Sequence, residues 1–412
     1  MEKRKIYRGE VTSYGYDGEG VLRVGGKVCF VPFVLKDEKI SFKIYKETSS
    51  FCKGKLEKVE DRSSLRTVPP CPYFGVCGGC TYQHTIYENE LNIKKELLKG
   101  QLKKVNFDKD ILLQQCDAEY GYRNKIKLFV QGESIGLKER GSDKVCDIER
   151  CLISNQKINS AIKEIRVFVS AQNLFRDISE IVVRSIGENC LINFIMKKEK
   201  EINFQGLYLL LGSNFGIFQS YKGKTEYKIG KKLLQKEEFG LDCEFSINSF
   251  HQVNDFVADK LYSEVFSQIK GQRAVNCYSG AGVLSGIIAN KKIFVTGIEL
   301  GKSEHEDAER LKKENNLFYL KNIQGDCSEV LPKLENFDTI IVDPPRSGMD
   351  KEVCQAIDSF NSKRLIYISC NSATLVRDLG RLTSFKIESV KMFDMFPRTG
   401  EYEVLVVLDK IK

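Results

Sequence analysis

Histidine is scarce, with only His84, His251 and His305 in 412 residues. No two stand at the spacing that puts two imidazoles on one helix face, so histidine-based zinc hydrolysis and Ser-His-Asp catalysis find little support. Long apolar runs are missing too. No stretch reaches membrane-spanning length, and no signal-peptide core follows Met1-Glu-Lys-Arg-Lys-Ile-Tyr7. The cytoplasm is the expected compartment, where the 14 cysteines stay reduced. That favours metal ligation or thiol chemistry over a disulfide framework.

With 42% hydrophobic and 29% charged residues, the chain has the balance of a soluble globular protein. Its length exceeds what one core usually organises, so two or three domains are expected. The net charge is +8, and residues 1–60 hold 13 basic against 9 acidic residues, half of the excess in a seventh of the chain. This concentration fits a polyanionic partner and fits a solvated lysine-rich surface equally well.

Residues 1–60 alternate apolar and polar positions in five short runs: Ile6 to Val11, Gly20 to Val24, Lys27 to Pro32, Ile40 to Tyr45 and Gly54 to Val59. Glycine turns separate them, which predicts a small five-stranded β-barrel. Next comes Pro69-Pro-Cys-Pro-Tyr-Phe-Gly-Val-Cys-Gly-Gly-Cys-Thr-Tyr-Gln-His84. Cys71, Cys77 and Cys80 are soft ligands in a loop that can wrap a compact object, and three such ligands need a distant fourth. Spacing leaves Cys116, Cys146 and Cys151 as candidates and does not separate zinc from an iron–sulfur cluster.

A polar helix is predicted from Ile86 to Lys104, with Ile86, Leu91, Leu97, Leu98 and Leu102 as its apolar stripe. Residues 120–245 then read as β-like runs (Asn124 to Val130, Ile181 to Ser185, Cys190 to Ile195, Leu207 to Leu211) with one helix around Ile158 to Ala171. Tyr120-Gly-Tyr-Arg-Asn-Lys-Ile-Lys127 interleaves aromatics with cations, so Arg123 and Lys125 are candidates for RNA contact. From Phe245 onward strand and helix alternate. Seven strand candidates start at Arg273, Ile293, Leu317, Phe337, Arg364, Phe385 and Tyr402, which predicts a doubly wound α/β sheet with its reactive face at the strand ends.

The first of these strands runs into Asn276-Cys-Tyr-Ser-Gly-Ala-Gly282, a Gly-x-Gly turn that lets a nucleotide moiety approach the backbone. Glu299, Asp326 and Asp343 follow at the ends of the next three strands. Four such features in register point to S-adenosylmethionine rather than NAD, although each acid could equally cap a helix. In Tyr367-Ile-Ser-Cys-Asn-Ser-Ala-Thr-Leu-Val-Arg-Asp378 a buried strand stops at Cys370 and a helix opens near Thr374. That turn sets the Cys370 thiol at the mouth of a cleft, where it can attack.

Taken together, these motifs resemble the RNA uracil-5-methyltransferases, specifically the iron–sulfur members acting on 23S ribosomal RNA. The similarity rests on Ser249-Phe-His-Gln-Val-Asn254, Asn276 to Gly282, Thr296 to Glu299, Val342-Asp-Pro-Pro-Arg346, Ile368 to Asp378 and Asp394-Met-Phe-Pro-Arg-Thr-Gly-Glu-Tyr-Glu403. Residues 15–32 resemble a TRAM domain, an RNA-binding module. The resemblance implies Cys370 as nucleophile and Glu403 as general base, and Gln252, Tyr278, Glu299, Asp326 and Asp343 as contacts of S-adenosylmethionine. It implies Cys71, Cys77, Cys80 and Cys151 as ligands of a [4Fe-4S] cluster, and Phe250 as an aromatic for stacking on a displaced base. Three positions depart from the family pattern: Asn276 where Asp is usual, Ser372 where Pro is usual, and Glu401 where His is usual.

The expected organisation is a TRAM-like RNA-binding barrel over 1–60, a central α+β iron–sulfur and RNA-binding domain over 61–245, and a Rossmann-like methyltransferase domain over 246–412. The helix 86–104 is placed against that last domain. The partner is RNA, with no membrane and no obligatory protein partner, and the chain is expected to be a monomer. The alternatives are a T-loop uridine of tRNA as the target, or a non-catalytic iron–sulfur RNA-binding or redox-sensing protein.

Overall fold

The computed structural model describes residues 5–335 and 337–411. Its largest sheet has eight strands in the order Leu320–Gln324, Phe294–Glu299, Arg273–Cys277, Thr339–Val342, Arg364–Ser369, Glu403–Lys410, Phe385–Phe393, Leu112–Gln114. The first five run parallel, and Glu403–Lys410 is antiparallel to both of its neighbours. Buried β-branched runs such as Thr339-Ile-Ile-Val342 form the middle because helices cover both faces. The chain reverses its direction of travel across the sheet between Arg273–Cys277 and Thr339–Val342, which opens a crevice at their carboxyl ends.

Seven of these strands lie where the hydrophobic pattern predicts. The eighth, Leu112–Gln114, comes from the span expected to belong to the central domain and pairs in parallel with Phe385–Phe393. Leu98, Leu102, Phe107 and Ile111 share one core with Tyr367, Leu375 and Val404. By packing, residues 87–114 therefore join the catalytic half.

Residues 6–61 form a six-stranded sheet rather than one of five, the additional strand being Ser13–Tyr14. A seven-stranded sheet from Lys125–Gln131 to Lys224–Gly230 carries the helix Gln156–Ala171 on one face. Leu207 to Leu211, expected as a strand, lies in the helix Gln205–Leu211. Its leucine run has no strand alternation: Asn203 Oδ1 accepts the Gln205 N–H, Gly212 at φ +91° ends the helix, and Leu209 and Leu210 face solvent. Among the described residues, no helix is long and apolar enough to cross a membrane.

The helix Tyr87–Leu102 buries charge as well as leucine. Lys94 Nζ donates to Glu90 Oε1 and Asp394 Oδ1, each at 2.7 Å, and Tyr87 Oη donates to Asp394 Oδ2 at 2.6 Å. Burial works against the Lys94 charge, but Asp394 and Glu90 more than offset it and raise its pKa. Removing one member strands the others. Lys94→Met is expected to destabilise the fold by about 3–5 kcal/mol in a denaturant titration. A loss below about 1 kcal/mol, typical of an exposed pair, would contradict this picture.

Candidate active site

The strand Arg364–Ser369 ends at Cys370, and the next residue begins a helix. Asn371 Oδ1 accepts the Ala373 N–H at 3.0 Å and the Thr374 N–H at 3.5 Å, so Ser372–Leu379 starts two residues earlier than expected. Asparagine supplies that cap directly, and no proline is needed at 372. Tyr16 Oη, from the N-terminal sheet, also donates to Asn371 Oδ1, at 2.9 Å.

The register fixes what faces the thiol. Ile368 pairs with Leu405 and Ser369 with Val404, so the antiparallel ladder carries Cys370 toward Glu403 one step further on. Asp343, one residue beyond the Val342–Tyr367 pair, joins them at the same sheet end. Glu403 is only 5% exposed, and its Oε2 has no hydrogen-bond partner among the described residues.

Three ionisable groups therefore crowd one low-dielectric corner. Burial, then Asp343 and Glu401, holds the Glu403 carboxyl far above the usual carboxylate range, with Arg346 opposing. Burial pushes Asp343 up to about 7. The Cys370 thiol is pushed up to about 12 by burial and by the two acids, again against Arg346. Burial thus favours the neutral forms at this corner, and positive charge brought there would favour the ionised ones. Arg346 is the local cation, and it is paired with Glu401. Glu401 is half-exposed and lines the cleft, unlike the buried Glu403, whose place next to Val404 puts it level with the end of the Cys370 strand.

The neighbouring strand ends hold the expected cofactor contacts with differing freedom. Glu299 accepts the Gly280 N–H at 2.8 Å and the Gly301 N–H at 2.7 Å, which fixes the Gly-x-Gly turn. Gly282 sits at φ +81°, and a Cβ there would meet the Ala308 Cβ at 2.8 Å, so glycine is required. Tyr278 also has positive φ, at +60°. Asp326 Oδ1 caps the short helix Cys327–Val330 through Ser328, which leaves Oδ2 for any ligand. Gln252 is buried, and its carbonyl accepts from Asn124 Nδ2 at 3.0 Å. Phe250 is 53% exposed, open for stacking.

Cys370 lies in a cleft walled by three parts of the chain: Tyr16 and Lys53, then Arg123 and Arg140, then Arg346. Arg123 thus shares the cleft with the thiol. Lys125 stands apart from it at the start of Lys125–Gln131, where burial lowers its pKa to about 8. Tyr16 escapes sequence reasoning, although an aromatic in a Gly-Tyr-Asp-Gly turn, 48% exposed, is a usable signal.

Cys71, Cys77, Cys80 and Cys151 line one apolar pocket together with Tyr73, Phe74 and Leu137. Cys116 and Cys146 do not line it. Ligand atoms of Glu238, His251 and Asp255 lie within 4.8 Å of one another, but among the described residues the cysteine sulfurs form no such group. A single tetrahedral zinc needs sulfurs about 3.8 Å apart, closer than this pocket brings three of them. At the Glu238 group Lys236 already supplies the cation, 2.7 Å from Glu238 and 3.4 Å from Asp255.

Residues 288–411 match a sequence family described as tRNA (Uracil-5-)-methyltransferase. The chain is 30% identical to the 23S rRNA (uracil(1939)-C(5))-methyltransferase RlmD of Francisella tularensis subsp. novicida, covering 99% of this chain and 98% of that one. It is 31% identical to an uncharacterised RNA methyltransferase of Caldanaerobacter subterraneus subsp. tengcongensis over the full length of both. The solved structure of the Pyrococcus abyssi tRNA (uracil-54, C5)-methyltransferase with S-adenosyl-L-homocysteine superposes with a TM-score of 0.84 at 24% identity, covering 98% of this chain and all of that one. This last likeness shows that the two share a fold.

Proposed function

The chain belongs to the RNA uracil-5-methyltransferases, and from that premise we infer that it methylates C5 of a uridine in 23S ribosomal RNA through a covalent Cys370 intermediate. The observation that supports the mechanism is the ladder register, which brings the strand end before Cys370 beside the strand that starts at Glu403. Uracil C5 is too weakly nucleophilic to take a methyl group unaided. The Cys370 thiolate adds to C6, and the C5–C6 π electrons become an enolate whose C5 takes the methyl. Glu403 then removes the C5 proton, the C5=C6 bond reforms and the thiolate leaves. Cysteine suits both steps because thiolates attack and depart readily.

When bound, S-adenosylmethionine would supply the electrophilic methyl group and leave as the neutral thioether S-adenosylhomocysteine, and its sulfonium charge would favour the ionised forms of Cys370 and Glu403. Gln252, Tyr278, Glu299, Asp326 and Asp343 are the residues that would hold it. The target ring must leave its stack to reach Cys370, and Phe250 offers a face for it. Arg123 and Arg140 line the cleft for phosphate contact, with the segment 1–60 as the TRAM-like RNA-binding module.

The full-length similarity to 23S rRNA enzymes supports the ribosomal target. Separate in-vitro transcripts of 23S rRNA and tRNA, incubated with the protein and mapped for 5-methyluridine, test it. Modification is expected in the ribosomal transcript, and methylation of tRNA alone would overturn the assignment.

Cys71, Cys77, Cys80 and Cys151 would hold a [4Fe-4S] cluster, whose part here is to tie the cysteine loop to the Cys151 segment. Anaerobically purified protein is expected to carry iron and acid-labile sulfide in equal amounts, both lost in Cys80→Ser. Zinc in place of iron would overturn this ligand assignment.

A further inference from the structure

Arg398 stands five residues before Glu403, in a backbone conformation that side chains other than glycine rarely adopt, φ +68°. Such a residue is strained and persists only when its surroundings over-determine it. Its carbonyl accepts the N–H groups of Thr81 and Tyr82 at 2.8 and 3.1 Å, and its own N–H donates to Glu90 Oε1 at 2.7 Å. The guanidinium donates to the Thr85 carbonyl at 2.8 Å and to Glu119. It lies 5.5 Å from the Tyr87 ring centre and 5.4 Å from that of Tyr120.

Every one of these partners lies between residues 81 and 120, outside the strands and helices that follow residue 255. The next four residues line the Cys370 cleft, and Arg398 itself is buried behind them. Thr399 Oγ1 accepts the Glu401 N–H at 3.2 Å, and two residues later comes Glu403. The loop that delivers the base is thus set from behind, by the segment after Cys80 and by the helix Tyr87–Leu102.

We propose that Arg398 is the positioning residue for Glu403: its guanidinium pins the backbone in the left-handed region, and that turn aims the carboxylate at C5 of the covalent adduct. The proposal rests on the roles given above to Cys370 and Glu403. Arg398 touches neither substrate nor cofactor, so its loss spares attack by Cys370 and slows the later proton removal.

The test compares Arg398→Ala, Arg398→Gly and Glu403→Gln, each incubated with uridine-containing RNA and with 5-fluorouridine-containing RNA. SDS-stable protein–RNA adduct, rate of product release and KM for RNA are measured. All three variants are expected to trap 5-fluorouridine RNA, because Cys370 is intact. With ordinary RNA, Glu403→Gln accumulates adduct, and Arg398→Ala does the same with release slowed about 10- to 100-fold, the scale of a misplaced catalytic group. Arg398→Gly takes φ +68° without a β-carbon and is expected to release faster than Arg398→Ala, with KM unchanged in both.

Equal release from the glycine and alanine variants would overturn the proposal, because it would reduce Arg398 to a buried charge. Equal slowing of adduct formation and release would overturn it too. Failure of Glu403→Gln to accumulate adduct would instead remove the base assignment, whatever Arg398 does. If the Arg398 variants melt below the assay temperature, Glu119→Gln carries the test, since it cuts one tie at the exposed rim. Slower release with normal adduct formation then supports the proposal, and unchanged release overturns it.

Discussion

Cys370→Ala is expected to lower methyl transfer by more than about 10⁴-fold, the scale on which removing a nucleophile leaves only binding and orientation. No neighbour can substitute. Glu403 and Asp343 are the other acids at that sheet end, and burial raises the pKa of both. Carboxylates are also far weaker toward a ring carbon than a thiolate. Stability and RNA binding should hardly change, because Cys370 is only partly buried and Asn371, not Cys370, caps the following helix. Transfer of radiolabelled methyl groups to RNA checks the first expectation, and a denaturant titration with an RNA-binding titration checks the second. Residual transfer within about 100-fold of the native protein would remove the covalent mechanism.

Glu403→Gln keeps the shape of the side chain and removes its capacity to accept a proton. Turnover should fall about 10²- to 10⁴-fold, the usual yield of a positioned base. The loss appears after methylation, so ordinary RNA should stay attached to Cys370 through denaturing electrophoresis. Stability should move the other way. Between the carboxyl's unfolded and folded pKa values the folded protein holds a proton that the unfolded chain has released, so stability declines as pH rises through that range. Glutamine has no such penalty, so the variant's advantage in denaturant midpoint should be larger at pH 8 than at pH 5. A variant that is less stable and that turns over without a stalled adduct would contradict both halves of this account.

The turn that carries Cys370 was legible because local signals agree there: an apolar strand, an abrupt asparagine cap and an amphipathic helix, all within Arg364 to Leu379. The alternation of strand and helix after Phe245 was equally plain. The pairing of Cys370 with Glu403 was not, since it follows from a register between strands more than thirty residues apart. Glu90 and Lys94 sat in a helix read as polar, and nothing nearby in sequence marks them as buried. Their neutralising partners, Asp394 and Arg398, come some three hundred residues later. The strand Leu112–Gln114 escaped for a related reason, because three residues with no alternation become a strand only against an existing edge. Asp326 remained ambiguous because a helix cap and a ligand contact call for the same residue type, and the fold uses one of its oxygens for the cap.

The phenol of Tyr16 meets the cap of the nucleophile's helix across a boundary between modules 355 residues apart in the chain. One half-exposed hydrogen bond of this kind is worth about 1 kcal/mol, no more than the ~1–3 kcal/mol of a stacked base. The N-terminal sheet itself is held by more than this bond, since its Leu35 is buried in one cluster with Tyr82 and Ile93. A base that enters the cleft would thus meet the Tyr16 ring and the helix cap beside Cys370 at one place.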